Sequence, residues 1–106
     1  MKENYNLSYL KELSDGDKKF ENKLLGILKA EFPIEIEEYN TNIKLGALST
    51  ASENVHKLKH KISILGLEKS YDIAVKHEIN LTSNNLDLQH EFEEILNNMI
   101  EILKRI

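Results

Sequence analysis

Residues 55–67 read VHKLKHKISILGL, which sets His56 and His60 one helical turn apart among Lys57, Lys59 and Lys61, with Gly66 just downstream. An exposed neutral imidazole is a good nucleophile toward phosphorus, and with a reference pKa of about 6.5 it is mostly unprotonated at neutral pH. Neighbouring lysines favour that neutral form, because like charge opposes an imidazolium. An ammonium one turn along would offset negative charge on a phosphoryl group in transit, where positioning and electrostatics supply most of the catalysis. Lys59 holds that position, and the Ser63 hydroxyl can add a hydrogen bond. Two imidazoles at i and i+4 could instead give two ligands to Zn²⁺ or Ni²⁺. A metal needs at least one more, and no His-x-x-x-His or Glu-x-x-His pattern occurs elsewhere in the chain.

Such chemistry needs a rigid surface, and the spacing supplies one. At about 100° per residue from His56, Ala47, Ala51, Leu58, Ile62 and Leu65 fall in a sector roughly opposite, with Val55 near its edge. That sector is the expected core face. His60, Ser63, Ser52 and Lys59 all fall within about 60° of His56 and are expected to share its solvent-facing side. Lys57 and Lys61 point further round and read as solvated. His77 and His90 have no comparable surroundings and read as ordinary helix-surface residues.

The elements that would hold this surface are helical throughout, since apolar residues recur at threes and fours without sustained alternation. A short first helix is expected over Leu7 to Leu13, followed by an SDGD turn that supplies an N-cap. Phe20, Leu24, Ile27, Leu28 and Phe32 mark the buried stripe of a second helix, ended by Pro33. Pro33 suits the first position of a third helix, with Glu35, Glu37 and Glu38 near its positive end, and Gly46 closes it. The helix carrying His56 starts near Ala47 to Thr50, where Thr50 and Glu53 have capping-box spacing, and runs to about Leu65. Gly66 offers a left-handed cap or a close helix contact. A further helix runs from Leu67 to about Asn80, with Tyr71, Ala74 and Val75 inward. After a TSNN linker, Leu88, Phe92, Ile95, Met99, Ile102 and Ile106 share one face of a long last helix. Short connections favour antiparallel neighbours, hence an all-α, up-and-down bundle with a short N-terminal helix across one end.

Length and composition set bounds on this picture. At 106 residues, with 41% hydrophobic and 30% charged residues, the chain suits one globular domain spanning 1–106 with a single core. The net charge of −4 argues against nucleic-acid or anionic-membrane binding through bulk electrostatics. The absence of cysteine excludes disulfides, thiolate metal sites and thiol nucleophiles. The first residues, MKENYNLSYL, lack the apolar core of a signal peptide, and no run approaches the ~18 residues of a membrane span. A cytoplasmic protein is the expectation.

The segment resembles the histidine-containing phosphotransfer (HPt) domains of bacterial multistep phosphorelays. Their motif has the phosphorylated His, a hydrophobic residue two on, Lys three on, small residues usually four and seven on, and Gly ten on. Those positions hold His56, Leu58, Lys59, His60, Ser63 and Gly66 here, and Gly46 falls where the family often has a glycine before this helix. The resemblance extends over the whole chain and implies a four-helix bundle with an extra N-terminal helix.

It further implies that His56 accepts a phosphoryl group from a receiver-domain aspartyl phosphate and passes it to another receiver Asp, with Lys59 stabilising the transferred charge. The implied partners are response-regulator receiver domains and a hybrid histidine kinase, and the Mg²⁺ would belong to the receiver, with no cofactor on this chain. Nothing resembles a kinase ATP-binding region, so no kinase activity of its own is expected. The chain would be a free-standing carrier or a domain of a longer kinase. His60 departs from the motif: its bulk either hinders docking, as in a phosphorylation-dead receiver-binding module, or its ring swings aside and donates a hydrogen bond. Ser52, Val55 and Ile64 are the expected docking residues, with Lys59 and its basic neighbours steering an acidic receiver pocket. The last helix can use its stripe internally, so a monomer is expected.

Overall fold

The computed structural model describes residues 2–106, and among them it is all-helical. The helices are α1 (Ser8–Ser14), α2 (Lys18–Lys44), α3 (Leu48–Ile64), α4 (Glu68–Thr82) and α5 (Gln89–Arg105). The helix α3 lies between α2 and α4, α5 packs on α4, and α1 rests against α2 and α3. Among the described residues no helix is long and apolar enough to cross a membrane.

One continuous helix, α2, replaces the two expected on either side of Pro33. A proline inside a helix costs about 3 kcal/mol through its lost hydrogen bond and ring clash. Leu28 and Phe32 before it and Tyr39 after it are all buried, and at roughly 1.5–3 kcal/mol per large apolar side chain their burial on one face outweighs that cost. The stripe assigned to this helix is also corrected. Leu28 and Phe32 are buried, whereas Phe20 and Ile27 are exposed and Leu24 is half-buried.

The turns follow local chemistry more closely. Asp17 caps α2, its carboxylate accepting from the Lys19 and Phe20 amides at 3.0 and 3.2 Å. After α2, the Ala47 amide reaches back to the Asn42 carbonyl and the Gly46 amide to Ile43, with Gly46 at φ +72°. After α3, Leu67 and Gly66 repeat this pattern on Ile62 and Ser63, with Gly66 at φ +70°. Both are Schellman endings, in which a left-handed glycine satisfies the last carbonyls. The expected capping box at Thr50 and Glu53 does not form, because α3 already begins at Leu48 behind Ala47, which offers no side-chain cap.

The N-terminus of α4 likewise has no cap from its own N-cap residue, Leu67. Its cap arrives from residue 3. The Glu3 carboxylate accepts from the Lys69 and Ser70 amides at 2.9 and 2.8 Å and from the Ser70 hydroxyl at 2.8 Å. The Asn98 amide of α5 donates to the Glu3 carbonyl, and the Asn6 amide donates to Leu65 O. The segment before α1 is thereby strapped across the α3–α4 turn and onto α5.

The core joins Phe32 and Tyr39 of α2, Leu58 and Ile62 of α3, and Phe92 and Met99 of α5, all buried. It also contains His77, fully buried on α4, which corrects its reading as a surface residue. Ser70, Ala74, His77 and Leu81 form one buried stripe at helical spacing, and His77 occupies its third position. Lys61 is corrected in the same way. It is buried between α3 and α2, with Nζ 3.1 Å from Glu31 Oε1 and 2.8 Å from Glu35 Oε2.

Candidate functional site

The helix α3 presents His56 outward with its side chain 59% exposed, and His60 and Ser63 are exposed along the same face. The His56 and His60 rings meet edge to face, centroids 5.6 Å apart. Gly66 ends the helix one turn beyond Ser63.

The other side of the expected surface is covered. Ser52, Val55 and Lys59 lie on one flank of the α3 wheel, and α4 packs against that flank. Val55 is fully buried and Ser52 nearly so, its hydroxyl donating to the Glu78 carbonyl at 3.2 Å. Neither is a free docking residue. Ile64 is half-buried and keeps a partly open side. Lys59 is only 16% exposed, and its ammonium lies 5.8 Å from the Tyr71 ring centroid.

The residue that organises this site is Glu78 of α4. One carboxylate oxygen meets His56 Nδ1 at 3.2 Å and the other meets Lys59 Nζ at 2.8 Å. The charged group beside the His56 ring is therefore a carboxylate, and the lysine expected to influence that ring is held by the same carboxylate. A neutral imidazole whose Nδ1–H donates to Glu78 carries its lone pair on Nε2. Glu78 thus fixes ring orientation and tautomer together, as an acid behind a nucleophilic histidine does. Only the packing of α4 on α3 brings Glu78 to His56 across 22 positions of sequence. No local spacing announces it.

On the side away from Lys59, His56 borders an open groove between α2 and α3. Ile34, Glu37, Glu38, Glu53, Asn54 and Lys57 help to line it. The surroundings of His56 are thus basic toward Lys57 and acidic toward α2. Among the described residues no group of three or more His, Asp or Glu side chains is placed to hold a metal ion. His90, exposed on α5, pairs with Glu94 at 3.0 Å.

No family model, curated protein or solved structure matches this chain.

Proposed function

We propose that this chain is a phosphorelay phosphocarrier of the HPt type, with His56 as the phosphoryl acceptor. The observation that carries the reading is the His56–Glu78–Lys59 arrangement: an exposed imidazole whose Nδ1 meets a carboxylate, one turn from an ammonium on the same helix. The four long helices α2 to α5, with α1 as an added short helix, supply the elements from which this reading builds its up-and-down bundle. The partners would be receiver domains of response regulators and of a hybrid kinase, which supply the aspartyl phosphate and its Mg²⁺, in the cytoplasm.

In the transfer step the Nε2 lone pair of His56 attacks phosphorus and the P–O bond to the receiver aspartate breaks. The aspartate leaves as carboxylate. Nδ1 keeps its proton, and Glu78 faces the positive charge that the substituted ring acquires, so no proton need move. Lys59 stands one helical turn from His56 on α3 and can turn from Glu78 toward the phosphoryl oxygens. His60 is exposed and able to swing aside, which suits the permissive reading of its bulk.

The test is phosphoryl transfer from a phosphorylated receiver, with Mg²⁺, to wild type and variants. Wild type and His60→Gln should take an acid-labile, base-stable label, His56→Gln none, and Glu78→Gln should accept label at least about tenfold more slowly. Absence of label on wild type across a representative panel of receivers, or label retained by His56→Gln, would overturn the proposal.

A further inference from the structure

Phe20 and Ile27 are each 42% exposed, and Ile34, seven residues further on, is 61% exposed. At about 100° per residue these three fall within about 40° of arc, well away from the face of α2 that buries Leu28, Phe32 and Tyr39. Because α2 runs unbroken through Pro33, they form one straight exposed stripe about 21 Å long, with Ile34 at the edge of the groove shared with α3. Large apolar residues at heptad spacing on an outward face are the pattern of a helix-pairing seam. Half-buried Leu24 and exposed Ala30 lie beside it, with Lys23 and Glu31 exposed at its edges.

The charges of α2 say what fits there. Residues 18–29 carry Lys18, Lys19, Lys23 and Lys29 against Glu21, a net +3, while residues 30–44 carry Glu31, Glu35, Glu37 and Glu38 against Lys44, a net −3. A helix with opposite charge on its two halves is complementary to itself when reversed. With a twofold axis at Ile27, positions equidistant from that residue face one another: Phe20 meets Ile34, Lys23 meets Glu31, Leu24 meets Ala30, and Ile27 meets its own copy. Along the seam apolar residues meet apolar ones and Lys23 of each copy meets Glu31, whose carboxylate also holds Lys61 of its own chain and is 55% exposed, which is the self-complementarity that an isologous interface demands.

We infer that the outer face of α2 pairs with α2 of a second copy of this chain, antiparallel about Ile27. The expectation of a monomer rested on the stripe of α5, and that stripe is indeed covered within the chain, with Phe92, Ile95, Met99 and Ile102 buried. The uncovered stripe lies on α2. One helix face is small beside a standard interface of about 800 Å² per partner, so the dimer dissociates on dilution and is weakened by salt. The pairing does not depend on the phosphocarrier reading.

The chain has no cysteine of its own, so single cysteines report the geometry directly. Under mild oxidation Ile27→Cys should cross-link to a covalent dimer much faster than Asp72→Cys, an exposed position on α4. Phe20→Cys alone should not, since its two copies would stand about 21 Å apart, beyond disulfide reach. A mixture of Phe20→Cys with Ile34→Cys should join the two variants. Sedimentation equilibrium of wild type should show a monomer–dimer equilibrium that Ile27→Glu abolishes with its far-UV circular dichroism unchanged. A wild-type chain monomeric at every concentration reached, or Ile27→Cys cross-linking no faster than Asp72→Cys, would overturn the pairing. Self-cross-linking of Phe20→Cys as fast as that of Ile27→Cys would overturn its antiparallel register.

Discussion

Tyr39 Oη and His77 Nε2 share a hydrogen bond of 2.7 Å in the middle of the core, against the ring of Phe92. His77 Nδ1 is buried with no partner among the described residues. Burial pushes the His77 imidazole down to about 4, against the opposing pull of the Glu93 charge, and pushes the Tyr39 phenol up. The unfolded chain takes up a proton at this imidazole below about 6.5, while the folded chain resists until about 4. The unfolded state therefore binds more protons between those values, and stability falls on acidification through that window by up to about 3 kcal/mol. Urea denaturation at several pH values should show that slope in wild type and lose most of it in the Tyr39→Phe/His77→Leu double variant. At neutral pH, Tyr39→Phe alone should cost about 1–3 kcal/mol, since it strands a buried nitrogen, whereas the double variant removes both polar partners and should cost less. The outward placement of His56, His60 and Ser63 was legible from spacing alone. His77 and Lys61 were not, because polarity suggested the surface while position in the stripe, and two glutamates on a neighbouring helix, drew them in.

At the scale of the element, Gly46 and Gly66 end α2 and α3 in the same way but stand in different surroundings. Both have positive φ, and a Cβ on Gly46 would meet open space, whereas one on Gly66 would collide with the backbone and Cβ of Asn6. Gly46→Ala should therefore cost only the left-handed penalty of about 1–2 kcal/mol. Gly66→Ala should cost clearly more, because residue 6 must also move. Thermal or denaturant melts of the two variants measure the difference, which reports the grip of the N-terminal segment on the α3–α4 turn. Both glycine endings and the Asp17 cap were legible in sequence, since each rests on chemistry within a few residues. The continuity of α2 was not, because the burial that holds Pro33 in a helix comes from partners elsewhere in the chain. The same gap hid the outward stripe, for Phe20, Leu24 and Ile27 look like core until the whole helix is laid against its neighbours.

Across the whole molecule, the site and the strap both depend on contacts between distant parts of the chain. Glu78 reaches His56 from another helix, and Glu3 reaches Ser70 and Asn98 across 67 and 95 positions. Burial works against the charge on Glu3, but the hydrogen bonds from Lys69 and Ser70, aided by the Lys69 charge, hold its carboxyl below the usual range. Its contribution to stability is thus full above the unfolded carboxylate pKa and is lost as pH falls through the lower folded value. The strap also has a place in time. Its contacts close the longest loops in the protein, while α3 and α4 meet across a turn of a few residues, so the helical core can assemble before residues 2–6 dock. Glu3→Gln should then leave the refolding rate nearly unchanged and speed unfolding about fivefold, as for a cap of roughly 1 kcal/mol absent from the transition state. Stopped-flow chevrons of the two proteins would show superimposed folding arms and separated unfolding arms. The carboxylate that crowns α4 would then act as a latch, closing after the fold has formed and slowing its escape.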